Sequence, residues 1–127
     1  MYIKALTVAC LLAIFTVLSI EGCKEQQYVK AMVGEASGEG YDGMYAIACG
    51  LRNRGSLDGV YGLNSKHIRS ESPKTYKLAR KAYRASKNGI DVTFGATHWE
   101  SIDFETPYWA NEMELTVQIG KHRFYKK

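Results

Sequence analysis

The chain has 127 residues, enough for one domain with a buried core and too few for two. Two prolines, three cysteines and 46% hydrophobic residues exclude a disordered, collagen-like or disulfide-stapled chain. A formal charge of +4 points to an anionic partner or a simply soluble surface; no aromatic-and-basic platform or DNA-binding helix pair stands out, so nucleic acid is not expected.

Met1 to Ile20 carries one charge, Lys4, ahead of an apolar run from Ala5 to Ile20. This layout predicts a secretory signal over residues 1–22, with a basic start, an apolar middle and a small residue before the cut. The run falls short of the ~20 residues that span a bilayer. Ile20-Glu21-Gly22-Cys23 resembles a bacterial lipobox, which would make Cys23 a lipidated N-terminal residue, although Glu21 departs from the small residue usual there. Plain secretion and an uncleaved anchor stay open beside it. Removing residues 1–22 takes away Lys4 and Glu21, one charge of each sign, and leaves the net at +4. The expected product is a single domain over residues 24–127, a monomer exported to the cell envelope, either lipid-anchored or secreted. An anionic cell-wall polymer or lipid surface suits its charge. With Cys23 lipidated, Cys49 stands alone as a small buried hydrophobe; otherwise a disulfide between the two stays open.

A first helix is expected from about Glu25 to Glu35. Tyr28, Ala31, Met32 and Glu35 recur at i, i+3, i+4 and i+7, the stripe of an apolar face. Glu35 therefore points toward the core side, where desolvation disfavours the charged carboxylate and raises its pKa unless a cation or several N–H groups meet it. A carboxyl group that keeps its proton is what a general acid needs. The alternative is a glutamate that ends a helix with its stem packed and its carboxylate in water. Glycines at 34, 38 and 40 surround this acid and would let the backbone come close to a ligand.

The second helix is expected from Asp42, as N-cap, to Arg54-Gly55, with Met44, Ile47, Ala48 and Leu51 on one stripe. Residues 56–72 are expected to be mostly loop. Ser72-Pro73 opens a third helix that Asn88-Gly89 closes. Lys74, Lys77, Lys81 and Arg84 form its solvated back, and Tyr76, Ala79, Ala82 and Tyr83 lie on another face. Short strands are expected over Val92–Trp99, Glu114–Gln118 and His122–Tyr125, the last two as a hairpin around Ile119-Gly120-Lys121. The fold class is a helix-dominated α+β domain with a small C-terminal hairpin or sheet.

Three blocks in order resemble a known family. Gly34-Glu35-Ala36-Ser37-Gly38-Glu39 with Tyr41-Asp42-Gly43-Met44 and Leu51-Arg52-Asn53-Arg54 is the first, and Gly95-Ala96-Thr97-His98-Trp99 the second. After Trp109 comes the third, Thr116-Val117-Gln118-Ile119-Gly120-Lys121-His122-Arg123-Phe124-Tyr125. Together they are similar to the cell wall hydrolase family of the spore cortex-lytic enzymes SleB and CwlJ, over about residues 28–125. The resemblance implies a lysozyme-like fold related to lytic transglycosylases, peptidoglycan glycan strands as partner, and Glu35 as the catalytic glutamate. The connection between Arg54 and Pro73 is shorter than in the spore enzymes and poorer in aromatic residues.

Cleavage between N-acetylmuramic acid and N-acetylglucosamine would have Glu35 protonate the bridging oxygen as an oxocarbenium-like centre develops. A hydrolase would need a second carboxylate, for which Glu39, Asp42, Asp91, Glu100 and Asp103 are the candidates. Glu39 is nearest but suits bracing its loop or capping the second helix, and a solvated role is expected for Glu100 and Asp103. A lytic transglycosylase needs only the one acid, because the sugar's own C6 hydroxyl attacks. That reading is preferred. Substrate binding is expected from Glu39, Tyr41, His98, Trp99 and Tyr125, since pyranose C–H patches stack on aromatic faces; Trp109 suits the core better. His67, His98 and His122 match no short ligand spacing, so no metal or other cofactor is expected. A hydrolytic muramidase, an amidase of the same wall and a non-catalytic peptidoglycan-binding lipoprotein are the alternatives.

Overall fold

A computed structural model describes residues 2–127, with side chains described from Cys10 onward apart from Leu12; the basic start of the expected signal, Lys4 included, lies outside the described side chains. The first helix, α1, spans Tyr2–Ala36, so the helix expected from Glu25 runs back through the whole apolar segment. No proline interrupts that segment, and leucine and alanine propagate a helix well. Its two halves differ in what covers them. Leu11, Phe15, Leu18 and Ile20 are exposed, whereas Tyr28, Val29, Ala31, Met32, Val33 and Ala36 are buried. Among the described residues no helix is long and apolar enough to cross a membrane. Cys23 is exposed on α1, Cys49 is buried on the second helix, and both are free.

The second helix, α2, spans Gly40–Arg54 and stops as expected: Gly55, at φ 71°, closes it with its N–H on the Leu51 carbonyl. Asp42 is not the N-cap. It lies in the first turn of α2, where a carboxylate still suits the helix dipole, and the cap position belongs to Glu39, whose side chain is engaged elsewhere. Residues 56–72 hold more structure than a loop, a 3-10 turn at Tyr61–Asn64 and the one-turn helix α3 at His67–Ser70. Helix α4, Pro73–Ser86, opens as expected, with the Ser72 hydroxyl accepting the Thr75 N–H. Its Ala79, Ala82 and Tyr83 are buried against α1 and α2, and Arg84 on the other side meets Glu25 of α1 at 2.8 Å.

The strand expected from Val92 begins only at His98. Asp91 explains the delay: Oδ1 accepts the Thr93 N–H and hydroxyl, and Oδ2 accepts the Gly95 N–H and the Asn53 amide. Four donors around one carboxylate wind residues 91–95 into a turn, with Phe94 at φ 54° and Gly95 at φ 84°. Strands β1 (His98–Ser101), β2 (Glu114–Ile119) and β3 (His122–Lys126) then form an antiparallel sheet of order β1-β3-β2. The hairpin of β2 and β3 is as expected, with a bulge between Leu115 and Val117 and Gly120 at φ 57° in the turn. Between them, Thr116 donates its hydroxyl to the Thr93 carbonyl, tying the sheet to the preceding turn. Phe124 of the central strand is fully buried with Met32, Met44, Ile47 and Leu51, each worth roughly 1.5–3 kcal/mol on burial. The result is the helix-dominated α+β class that the sequence pattern predicts.

Candidate active site

Glu35 sits on the last turn of α1, one position beyond the buried stripe that predicted its direction. The 3-10 turn packs directly on that turn because both surfaces are glycine. A Cβ on Gly34 would run into the Gly62 carbonyl, and one on Gly62 would lie 2.6 Å from Glu35 Cγ. This contact sets the Gly62 N–H on Glu35 Oε1 at 2.7 Å. Gly34 thus admits the protein's own backbone, whereas Gly38 and Gly40 face open space and Gly38 lines the groove.

Two adjoining cavities, of about 560 and 640 Å³, open on either side of Glu35. They share Gly34, Glu35, Ser65, Ser101, Phe104 and His122, and so form one groove with Glu35 where its halves meet. The first half is aromatic. Trp99 on β1 lines it, held between α2 and the sheet: Gly50 lets the ring approach until a Cβ there would lie 3.0 Å from it, Phe124 is 6.4 Å away, and the Arg54 guanidinium lies 5.6 Å over the face. His98 lines the same half, with Nδ1 2.9 Å from the Thr97 hydroxyl and its ring 5.3 Å from Trp109. Burial holds the His98 imidazole below the usual histidine range, and the positive charges of Arg54 and Lys127 push the same way. Trp109, expected in the core, lines the groove instead.

The second half lacks the tryptophans and is bordered by Glu39, Asp103 and Lys121. Glu39 reaches from the start of α2 to the β2–β3 turn, where Oε1 accepts the Lys121 N–H at 2.7 Å and Oε2 lies 2.8 Å from His122 Nδ1. Lys121 in turn pairs with Asp103 at 2.9 Å. Glu39 therefore braces the β2–β3 turn, neither its own loop nor the helix start, and lines the groove as well.

Two expected binding residues do not reach the groove wall. Tyr41 points away, its ring 6.0 Å from Tyr45 and beneath Lys81. Tyr125 is buried one layer behind, edge-on to Trp109 at 5.5 Å, and donates its hydroxyl to Glu100 Oε1 at 2.7 Å. Burial first, and then that carboxylate, raise its phenol pKa. Glu100 overturns its expected solvated role. Alternation along β1 puts it on the face opposite Trp99, where Tyr125 and Arg123 cover it until it is 8% exposed, and it lines the aromatic half with Oε2 lacking a hydrogen-bond partner among the described residues. Asp103 is exposed, as expected. Arg54, Tyr61 and Phe104 also line the groove, Tyr61 and Phe104 being 85% and 78% exposed. Arg54 stands in the first matched block; nothing periodic marks Tyr61 and Phe104 in the sequence, an aromatic residue in an irregular segment being the only hint. Among the described residues no group of three or more His, Cys, Asp or Glu side chains is placed to hold a metal.

This architecture matches solved structures. The catalytic domain of the Bacillus cereus SleB protein superposes over 80% of this chain and 88% of its own, with a TM-score of 0.60 and 28% identity. The chain has a SleB-like cell wall hydrolase fold. The catalytic domain of the germination-specific lytic transglycosylase SleB from Bacillus anthracis agrees, at 27% identity and a TM-score of 0.61 over 80% of this chain and 93% of that one. No family model and no curated protein matches the chain. The SleB-like fold accounts for the helical body capped by a small antiparallel sheet, with the groove between them.

Proposed function

We propose that this protein is a peptidoglycan lytic transglycosylase that cuts between N-acetylmuramic acid and N-acetylglucosamine and leaves 1,6-anhydro ends. The observation that carries this reading is the placement of Glu35 at the junction of two half-grooves, one of them lined by Trp99 and Trp109, on a fold shared with a lytic transglycosylase. A polymer can lie along such a groove with a sugar in each half. The protonated Glu35 carboxyl gives its proton to the bridging oxygen, and the C1–O bond breaks with oxocarbenium character. The C6 hydroxyl of the same muramic residue then bonds to C1, and its proton returns to the Glu35 carboxylate. The acid is restored and no water is consumed. Trp99 and Trp109 offer faces for pyranose C–H patches, and Arg54 and His98 offer polar contacts beside them.

The reading includes residence in the cell envelope. An exposed apolar half of α1 ahead of an exposed Cys23 supports export under a signal over residues 1–22 with Cys23 lipidated. Incorporation of labelled palmitate, abolished by Cys23→Ser, tests the lipid.

The enzymatic test compares wild-type chain with Glu35→Gln on purified peptidoglycan, with products analysed by mass. Anhydro-muramic ends from the wild type and a loss of about 10²-fold or more in the variant are expected. Reducing muramic ends would instead show hydrolysis, and an undiminished Glu35→Gln would remove Glu35 from the chemistry.

A further inference from the structure

The groove also carries a largely covered carboxylate–imidazole pair that the one-acid mechanism leaves unused. His122 is 5% exposed on the central strand, between Ser101 of β1 and Ile119 of β2. Its Nδ1 lies 2.8 Å from Glu39 Oε2. Glu39 is itself fitted into place: a Cβ on Gly43 would come within 2.5 Å of its Cβ, and one on Gly120 within 3.0 Å of Oε2, while the Lys121 N–H holds Oε1. A cradle this close, made of two glycines and a backbone donor, fixes the carboxylate and hence the imidazole.

The chemistry of the pair dictates what His122 presents. An ionised carboxylate can only accept, so Nδ1 carries the hydrogen, and in the neutral ring Nε2 is left with its lone pair. No described residue bonds Nε2, and the atom is not fully enclosed. His122 lines both halves of that groove, as Glu35 does. A hydrogen-bond acceptor is therefore held in a fixed orientation at the junction where the scissile bond would lie.

We propose that His122, oriented by Glu39, accepts a hydrogen bond from the attacking hydroxyl of the glycan, aligns it on C1 and takes its proton as that oxygen bonds to C1, the proton then passing from Nε2 to the Glu35 carboxylate to restore the acid; His122 touches substrate and Glu39 acts as its positioning residue. The inference rests on the glycosidase reading above and adds a second functional group to it. An aligned nucleophile raises turnover more than it tightens binding.

The test uses full-length wild-type protein, Glu35→Gln, His122→Gln and Glu39→Gln on purified peptidoglycan glycan strands, with kcat, KM and melting temperature measured for each. Loss of activity in Glu35→Gln establishes the glycosidase reading separately; no cleavage by the wild type, or full activity in Glu35→Gln, defeats that reading and this inference with it. Given that loss, His122→Gln is expected to lower kcat by about tenfold or more, with KM within about twofold, and Glu39→Gln to follow in the same direction. A smaller fall in kcat, or a loss carried by KM, overturns the inference. Nitrogen-15 spectra of wild-type His122 give a readout independent of variant folding: the Nδ1–H tautomer is expected, and an Nε2–H tautomer overturns the inference whatever the variants do. Should neither variant fold, the Nε2 resonance in Glu35→Gln decides, moving on addition of uncut glycan strands if the inference holds and staying fixed if it fails.

Discussion

Gly62 donates its backbone N–H to Oε1 of Glu35 at 2.7 Å, across 27 positions of chain. The bond exists because neither Gly34 nor Gly62 carries a side chain at the point where the 3-10 turn crosses α1. The acid is thus oriented by a close backbone approach instead of a neighbouring charge.

Replacing Gly62 by alanine should disturb both packing and catalysis. The new Cβ would fall 2.6 Å from Glu35 Cγ and 2.8 Å from the Ala31 carbonyl, and the turn would have to move off the helix. A destabilisation on the order of 1–3 kcal/mol is expected, typical of overpacking, together with a fall in kcat. Thermal unfolding and glycan turnover measure the two effects. A variant as active as wild type would show that this contact does not orient Glu35.

Trp99 offers a second test, through Gly50. A methyl group on Gly50 would lie 3.0 Å from the six-membered edge of the Trp99 ring and press it into the groove. Gly50→Ala is expected to raise KM for glycan strands by roughly two- to tenfold, from the 0.5–1.5 kcal/mol of an aromatic contact, with a smaller change in kcat. Trp99→Ala should move KM the same way. An unchanged KM in both would take the Trp99 face out of substrate binding.

Acid should weaken the fold in two stages. Burial, with Arg54 and Lys127, holds the folded-state pKa of His98 below its unfolded value, so the unfolded chain binds the extra proton first. The stability this contributes is whole above about pH 6.5 and is lost as pH falls from there toward the lowered folded value. Glu25 is depressed by its hydrogen bond from Arg84, against some burial. At Asp91 burial pushes upward, but hydrogen bonds from Thr93, Asn53 and Gly95 outweigh it and lower the pKa. Both carboxylates contribute stability above their unfolded values near pH 4 and lose it as pH falls through the folded ones. Melting temperatures from pH 8 to pH 3 should fall gently below pH 6.5 and steeply below pH 4. Asp91→Asn should flatten the second stage, and His98→Gln should remove the first.

What the sequence alone determined is what neighbouring residues decide among themselves. The Tyr28, Ala31, Met32 and Glu35 stripe, the Gly55 stop, the Ser72-Pro73 start and the hairpin around Gly120 each depend on contacts a few positions apart, so periodicity and capping chemistry reveal them. They were enough to find α+β and to single out Glu35. Tertiary structure decided the rest. Asp91 drew four donors and turned an expected strand into a turn, and Glu39 left the cap position for His122, 83 residues away. Tyr125 and Arg123 of the neighbouring strand buried Glu100, while Tyr61 and Phe104 reached the groove from segments with no period at all. A side chain with several available partners goes to whichever the folded chain brings within hydrogen-bond distance, and that choice is made by packing far along the chain.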